Sequence, residues 1–205
     1  MQETYEKAIT QVFKDEGGYT NESTDPGGPT NWGITLHDAQ TFWKSGATSE
    51  DIRQMPKAIA EDIYSKHYAT PIRYNDLPAG VDYSVLDYAI NSGISRSVKT
   101  LQEIVNEKID GVLGPNTLKA VAQKDPKEVI NQIWDQRLAF DHSLTHLWPT
   151  YGHGWTNRII NGKKLALSLI DVKPIPSAPT TVPTVGWNTI IDDLINLLST
   201  LFKRK

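Results

Sequence analysis

Apolar residues recur at three- and four-residue spacing over most of the first 170 positions, which is the period of amphipathic helices. The first such stripe predicts a helix over residues 3–16. It consists of Tyr5, Ile9, Val12 and Phe13. Few segments alternate apolar and polar residues as strands do, and one short hairpin is predicted around residues 17–35. The pattern therefore predicts an all-α-dominated globule with a small β-element.

Capping residues and prolines divide the following residues into further helices, because Ser, Thr and Asp cap helix starts and Pro suits the first turn. The predicted helices run from Thr35 to Trp43, from Pro56, over 79–91, over 96–109 with Ser95 as cap, from Pro115, after Asp125-Pro126, and over about 155–170.

Glu16 occupies an unusual place at the end of the first predicted helix. It follows Val12 by four positions and Phe13 by three, so it lies on the apolar face, and Gly17-Gly18 then ends the helix. Burial of a carboxyl favours its protonated form, which a general acid requires. The alternative is a solvated glutamate in the last turn.

A turn with further polar side chains follows Glu16. Asp25 begins an Asp-Pro-Gly-Gly-Pro turn, and Thr30 and Asn31 come soon after it. Acid-catalysed glycoside cleavage uses one carboxyl to protonate the leaving oxygen and a second group to stabilise charge or direct water. The candidate catalytic residues are therefore Glu16, Asp25 and Thr30. By itself, Asp25 favours an Asx turn over a catalytic role, and Trp32 would serve equally as a sugar-stacking surface or as a core residue.

These residues carry a resemblance to a known family. The segments are Glu16-Gly-Gly-Tyr19, Asp25-Pro-Gly-Gly28 and Thr30-Asn-Trp-Gly-Ile-Thr35. Together they resemble the signature of glycoside hydrolase family 108, the N-acetylmuramidases of phages and bacteria, whose proposed catalytic acid matches Glu16. The spacing is also similar to the Glu–x8–Asp–x5–Thr triad of phage lysozymes, with four residues here between Asp25 and Thr30. The resemblance implies a lysozyme-like α+β fold with the hairpin at the active-site loop.

Two more segments resemble wall-associated proteins. Leu101-Gln102 and Asp110-Gly-Val-Leu-Gly-Pro-Asn-Thr117 are similar to a pattern of peptidoglycan-binding helical modules, and Gly154-Trp155-Thr-Asn-Arg158 is similar to a late element of the family's domain. They imply peptidoglycan as the partner and a helical second lobe. The predicted units are a catalytic lobe (1–94), a peptidoglycan-binding-like lobe (95–172), a proline-rich linker (173–186) and an amphipathic helix (187–205).

Aromatic and amide side chains supply the predicted substrate contacts. The candidates are Tyr19, Asn31, Trp32, Asn91, Tyr151 and Trp155. Large aromatics close in sequence, such as Tyr151 and Trp155, are also typical of a core. Asp82, Asp87 and Asn91 occupy one predicted helix, where they line the cleft or brace the loop opposite it.

The histidines offer a different chemistry. His142 and His146 would share a helix face and, with His153, suggest a zinc peptidase acting on stem peptides as a distant alternative. The His-Glu-x-x-His motif of such enzymes is absent. No metal and no other cofactor is therefore expected.

Composition narrows the class of protein. The net charge of −3 argues against nucleic acid as a partner. The 205 residues contain no cysteine, so no disulfide framework is expected. Met1 to Lys7 shows no signal peptide, so we expect the protein to remain in the host cytoplasm until it is released and to act in the periplasm or cell wall.

The C-terminal residues differ in character from the rest. Residues 173–186 contain four prolines and no helical stripe, which indicates an extended linker. Residues 187–205 carry an apolar stripe and end in Lys203-Arg204-Lys205, as interfacial membrane helices do. Membrane or outer-envelope contact is the favoured interpretation. Docking on the protein's own body and self-association stay open, and the oligomeric state is unknown.

The sequence as a whole predicts a lysozyme-type N-acetylmuramidase with Glu16 as general acid. Its linkage, β-1,4 between N-acetylmuramic acid and N-acetylglucosamine, is implied by the resemblance. A phage endolysin that lyses its host is the first expectation for its biology, and a bacterial muramidase that opens the wall for secretion is the second. The alternative is a catalytically inactive peptidoglycan-binding or secretion-associated wall protein.

Overall fold

Helices dominate the computed structural model, which describes residues 2–21 and 28–171, with side chains from residue 4 onward. The α-helices are α1 (Gln2–Glu16), α2 (Leu36–Phe42), α3 (Ser49–Arg53), α4 (Lys57–Tyr64), α5 (Val81–Ser92), α6 (Ile94–Ile104), α7 (Pro115–Ala122), α8 (Pro126–Ser143) and α9 (Trp148–Leu169). A π-helix (Ser65–Ala69) and a 3-10 helix (Tyr74–Asp76) connect α4 to α5. The predicted helix-dominated α+β fold class is confirmed.

A single two-stranded antiparallel sheet lies between α1 and α2 in the described residues. Strand β1 (Thr30–Asn31) pairs with β2 (Ile34–Thr35), and a bridge joins Thr20 to Thr30. The predicted hairpin is therefore present, with its ladder concentrated near residues 30–35.

Local capping explains where several helices begin. The Thr35 side chain caps α2 and forms a reciprocal capping box with Asp38. Asp125 caps α8, and Pro115 stands in the first turn of α7. These three starts confirm the sequence prediction.

Two helices differ in their bounds from the prediction, and one helix was not predicted. The helix predicted over 96–109 with Ser95 as cap runs from Ile94 to Ile104, because Gly93 precedes it at φ 88° and Asn106 leaves the helical region at φ 57°. The last helix begins at Trp148, seven residues before its predicted start. The short helix α3, capped by Thr48, was not predicted.

The core contains two groups of buried hydrophobic residues. One lies under α1, the hairpin and α2 to α4, and includes Val12, Phe13 and Ile34. The other surrounds α5, whose residues 81–89 are all buried because the helix packs against α1, α6, α8 and α9. Residues 1–173 form one compact unit. The predicted boundary between lobes after residue 94 stays a prediction.

None of the helices in the described part of the chain is long and apolar enough to cross a membrane. Asp25, the proline-rich linker and the predicted helix over 187–205 lie outside the described residues. The expectations for these segments stay predictions.

Candidate active site

The tip of the hairpin packs directly on Glu16, the last residue of α1. Trp32 and Gly33 form its two-residue turn with φ of 55° and 77°, the positive values that such tight hairpins need. A Cβ atom on Gly33 would lie 2.3 Å from Tyr64 Oη and 2.8 Å from Glu16 Cγ. Tyr64 Oη donates a hydrogen bond to the Trp32 carbonyl at 2.9 Å. The turn, α4 and the end of α1 thus meet at the candidate acid.

Arg158 of α9 forms an ion pair with Glu16. Its Nη1 donates to Glu16 Oε1 at 2.6 Å, although 142 positions separate the two residues. The side chains are 12% and 21% exposed, so the pair lies at the boundary between core and solvent. The sequence predicted a half-buried carboxyl at Glu16 but did not indicate Arg158 as its partner.

Behind Arg158 the charges continue into the core. Arg158 Nη2 donates to Asp87 Oδ1 at 2.9 Å and its Nε donates to Oδ2 at 3.3 Å. Asp87 is fully buried and also accepts from Arg137 Nη1 of α8. We call this series, from Glu16 through Arg158 and Asp87 to Arg137, the ion-pair chain.

The electrostatics of the ion-pair chain keep its buried members charged. Burial acts to raise the pKa of Asp87, but the guanidinium groups of Arg158 and Arg137 lower it to about 2. Burial acts to lower the pKa of Arg158, yet the Asp87 and Glu16 carboxylates raise it above its ordinary value. A carboxylate and a guanidinium that stabilise each other in this way resist protonation changes near neutral pH.

Asp15, the neighbour of Glu16 in α1, adds another partly buried carboxyl. Gln11 Nε2 donates to its Oδ1 at 2.8 Å, while no described residue hydrogen-bonds its buried Oδ2. Burial raises the pKa of Asp15, and the nearby Arg158 partly opposes that rise.

Asp82 and Asp87 connect helices to α5 within the described residues. Asp82 accepts from the Thr4 hydroxyl of α1 at 2.9 Å and from the backbone N–H groups of Gly80 and Tyr83, both at 2.7 Å. Asp87 binds α8 and α9 through the two arginines. Both carboxylates thus brace helices rather than the hairpin.

The other predicted residues of the hairpin hydrogen-bond to the protein itself. Thr30 Oγ1 donates to the Gly28 carbonyl at 3.0 Å. Asn31 is buried, and its amide donates to the carbonyl of Ile52 at 2.9 Å and to the next carbonyl at 3.2 Å. The Trp32 indole donates to the Met55 carbonyl at 3.2 Å. The bonds of Asn31 and Trp32 hold the hairpin on α3 and the residues after it. The predicted catalytic role of Thr30 and the predicted sugar contacts of Asn31 and Trp32 stay predictions.

The remaining predicted contacts lie on several elements. The Arg53 guanidinium lies 5.3 Å from the centre of the Tyr19 ring. Asn91, near the end of α5, accepts a hydrogen bond from Ser92 Oγ at 3.0 Å. Tyr151 and Trp155 of α9 stack with ring centres 5.7 Å apart and planes 21° apart.

The stacked pair shares a helix face with the cation of the ion-pair chain. Trp155 follows Tyr151 by four positions and precedes Arg158 by three, the spacings that align side chains along one face. Tyr151 is 52% exposed. An accessible aromatic surface therefore continues along α9 from the residue that binds Glu16.

Sequence reasoning missed the roles of Arg158, Asp87 and Arg137. The Gly-Trp-x-x-Arg element contained Arg158 as a signal, but nothing in it indicated a partner in α1. For Asp87 the sequence predicts a residue that lines the cleft or braces the loop opposite it, not a partner of two arginines. Arg137 sits in an ordinary amphipathic pattern and carries no local signal.

The predicted peptidoglycan-binding motif forms an internal hydrogen-bond network. Gln102 is buried, and its amide nitrogen donates to Asp110 Oδ1 at 2.8 Å and to the Val112 carbonyl at 3.1 Å. Its amide oxygen accepts from the Gly111 N–H at 2.8 Å. These motif residues therefore fix the connection between α6 and α7.

The histidine cluster shows aromatic packing. The His142 ring stacks on Trp148 with centres 3.7 Å apart. Across residues 2–21 and 28–171, no group of three or more His, Cys, Asp or Glu residues is placed to hold a metal ion.

Comparison with known proteins adds independent findings. Residues 9–93 match the model of the family Glycosyl hydrolase 108. The solved structure of SagA from Brucella abortus is 40% identical, with a TM-score of 0.77, and the match covers 83% of this chain and 98% of SagA. No curated protein matches the chain.

Proposed function

Because the chain belongs to the family Glycosyl hydrolase 108, we propose that it is an N-acetylmuramidase with Glu16 as its general acid. Family membership makes it a glycoside hydrolase with a lysozyme-like action on peptidoglycan. The proposal adds the bond, which is the β-1,4 linkage between N-acetylmuramic acid and N-acetylglucosamine, and the residues that cut it.

The placement of Glu16 carries the proposal. Its carboxyl stands at the end of α1, against the hairpin turn, and retains 21% exposure. A general acid needs both a controlled environment and access to the leaving oxygen. Among the predicted catalytic residues in the described part of the chain, Glu16 is the ionisable one.

The proposed reaction is hydrolysis with acid assistance. Protonated Glu16 donates its proton to the glycosidic oxygen as the bond from that oxygen to the anomeric carbon of muramic acid breaks. Water supplies the hydroxyl that remains on this carbon. Asp25 is proposed to stabilise the oxocarbenium-like transition state or to position the water together with Thr30.

The glycan is proposed to stack on the exposed face of α9. Tyr151 and Trp155 present parallel rings next to Arg158, and flat aromatic rings suit the apolar faces of sugars. From Tyr151 to Arg158 the helix rises about 10 Å, so the rings extend the contact away from the scissile bond. Tyr19, Asn31, Trp32 and Asn91 stay predicted contacts.

Substitution of Glu16 by glutamine tests the acid. An amide cannot donate the proton, so Glu16→Gln should lower peptidoglycan hydrolysis roughly 10²- to 10⁴-fold. The exposed substitution Glu103→Gln serves as the matched control and should leave the rate unchanged. Near wild-type hydrolysis by folded Glu16→Gln protein would contradict the assignment.

Product analysis tests the bond. Mass spectrometry of digested peptidoglycan should show new reducing ends on muramic acid and intact stem peptides. New amino termini would instead indicate a peptidase. Binding of folded wild-type protein to peptidoglycan without any released fragment would favour the inactive wall-binding alternative.

Host lysis by a phage is the biological role we propose, with action in the periplasm or cell wall after release from the cytoplasm. The support is the resemblance of the Glu16 to Thr35 segment to phage muramidases. Deletion of the gene from its source genome should then abolish lysis, whereas a secretion defect would favour a bacterial role in opening the wall.

A further inference from the structure

We propose that Arg158 is a positioning residue that orients the Glu16 carboxyl for proton transfer to the substrate. The inference rests on the proposed role of Glu16 and adds to it a residue from the other end of the chain.

The geometry fixes one oxygen of Glu16 and leaves the other for chemistry. Arg158 Nη1 donates to Oε1 at 2.6 Å. A protonated carboxyl still accepts a hydrogen bond through its carbonyl oxygen, so Arg158 can retain Oε1 while the proton resides on Oε2. Glu16 is the last residue of α1, and the hairpin turn packs against the stem of its side chain, whereas Arg158 contacts the carboxyl itself. Arg158 therefore supplies an orientation that the helix end does not.

Arg158 is itself held rigidly. Two of its nitrogens engage both oxygens of Asp87, which is the planar two-point contact that guanidinium groups favour. Asp87 has no exposed surface and is held from its other side by Arg137, which is also buried. The ion-pair chain thus directs the remaining nitrogen of Arg158 toward Glu16.

Stability alone is a weak reason for this arrangement. Desolvating charges costs several kcal/mol per ion, and buried ion pairs often do no better than apolar side chains of similar size. The ion-pair chain buries Asp87 and Arg137 almost completely yet ends on a carboxylate with 21% exposure. A fixed cation beside an accessible acid is the feature that an apolar replacement could not provide.

The experiment compares four full-length proteins by soluble-glycan kinetics, with kcat and KM determined separately, and by thermal unfolding. They are the wild type, Arg158→Met, Arg158→Lys and Lys163→Met. Lys163 lies five positions after Arg158 on the same helix and pairs with Asp135 of α8 at 2.7 Å instead of with Glu16. It is the matched control for the loss of an ion pair from α9.

We expect Arg158→Met to lower kcat at least tenfold and to leave KM within about twofold of wild type, because a displaced proton donor affects the chemical step rather than substrate binding. Arg158→Lys should also lower kcat, because lysine keeps the charge but loses the two-point contact with Asp87 that directs the cation toward Glu16. Lys163→Met should change neither quantity.

Two results would overturn the inference. One is a wild-type kcat in Arg158→Lys, and the other is an activity of Arg158→Met that falls only in proportion to the folded fraction. If Arg158→Met does not fold, the kcat of Arg158→Lys decides. Glu16→Gln separates the proposals, because an active Glu16→Gln protein refutes the function, whereas an inactive one beside unaffected Arg158 variants refutes only this inference.

Discussion

At the scale of single residues, Gly33 determines how closely the hairpin approaches the candidate acid. Its φ of 77° is unfavourable for other residues, and a Cβ would lie within 3 Å of Tyr64 and Glu16. Gly33→Ala should therefore destabilise the protein by roughly 1–3 kcal/mol and lower activity by displacing Glu16. Chemical unfolding and a hydrolysis assay measure both effects.

Gly46 is the matched control for this substitution, because a Cβ there meets no atom within 4 Å. Gly46→Ala should change neither stability nor rate. Equal effects of the two substitutions would show that the contact between the turn and Glu16 is unimportant.

Asp82 makes stability depend on pH. Burial raises its pKa to about 6 from an ordinary 3.8, against the lowering effect of hydrogen bonds from Thr4, Tyr83 and Gly80. Between these values the folded state binds more protons than the unfolded state, so the free energy of unfolding falls as pH rises. The expected loss from Asp82 between pH 4 and pH 7 is on the order of 3 kcal/mol.

Asp82→Asn tests this dependence, since asparagine is similar in shape and does not titrate. Urea unfolding at pH 4 and pH 7 should show that the variant gains stability relative to wild type as pH rises. A constant difference between the two proteins would mean that Asp82 titrates normally in the fold.

At the scale of elements, the packing of α9 on α8 sets the position of Arg158. Gly162 lies one turn beyond Arg158, and a Cβ on it would fall 2.3 Å from Cη2 of the buried Trp134. Trp134 cannot retreat easily, because its indole donates to Ser84 of α5 at 2.9 Å. Gly162→Ala should cost about 1–3 kcal/mol through overpacking and should also lower activity.

Gly154 gives the same substitution in the same helix without a collision, because nothing lies within 4 Å of its Cβ position. Gly154→Ala should be neutral or stabilising by up to about 1 kcal/mol, as alanine favours helices over glycine. Thermal melts compare Gly162→Ala with Gly154→Ala. Similar melting temperatures of the two variants would contradict close helix packing at Gly162.

The exposed aromatic face of α9 leads to a prediction about binding. Tyr151→Ala should raise KM for soluble glycan roughly tenfold, equivalent to about 1.4 kcal/mol, with kcat nearly unchanged. Tyr151→Phe keeps the ring and should resemble wild type. Ile160→Ala removes another exposed apolar side chain of α9, 59% exposed, and should leave KM alone. A KM rise in Ile160→Ala equal to that in Tyr151→Ala would refute sugar stacking.

At the scale of the whole molecule, residues 1–173 form one compact unit, and the proline-rich linker and the predicted helix over 187–205 follow it in the sequence. The stripe in residues 187–205 offers about seven large apolar side chains, enough to favour a lipid surface at roughly 1.5 kcal/mol each. We expect truncation after Val172 to preserve hydrolysis of purified peptidoglycan and to weaken sedimentation with lipid vesicles. Unchanged vesicle binding would exclude the membrane role, and a lower melting temperature would indicate docking on the protein itself.

The sequence by itself determined the local features of this protein. Apolar spacing located α1, and single caps placed the starts of α2 and α8, because these signals act within one or two helical turns. Glu16 was predicted as the candidate acid from local signals of the same kind, its position on the α1 stripe and the glycines after it, and its catalytic role stays a prediction. The early start of α9 at Trp148 was not predicted, although Pro149 stands in its first turn, where proline is tolerated.

The tertiary structure decided which side chains surround Glu16, the candidate acid. Arg158 reaches Glu16 across 142 positions, and Asp87 and Arg137 support it from two other helices. The same packing buried Asn31 against α3, a use that its place in a loop motif did not suggest. Spacing rules describe neighbours along one helix or strand, whereas these contacts depend on how α1, α5, α8 and α9 pack together. Desolvation and charge pairing are set by that packing, because they depend on distance in space.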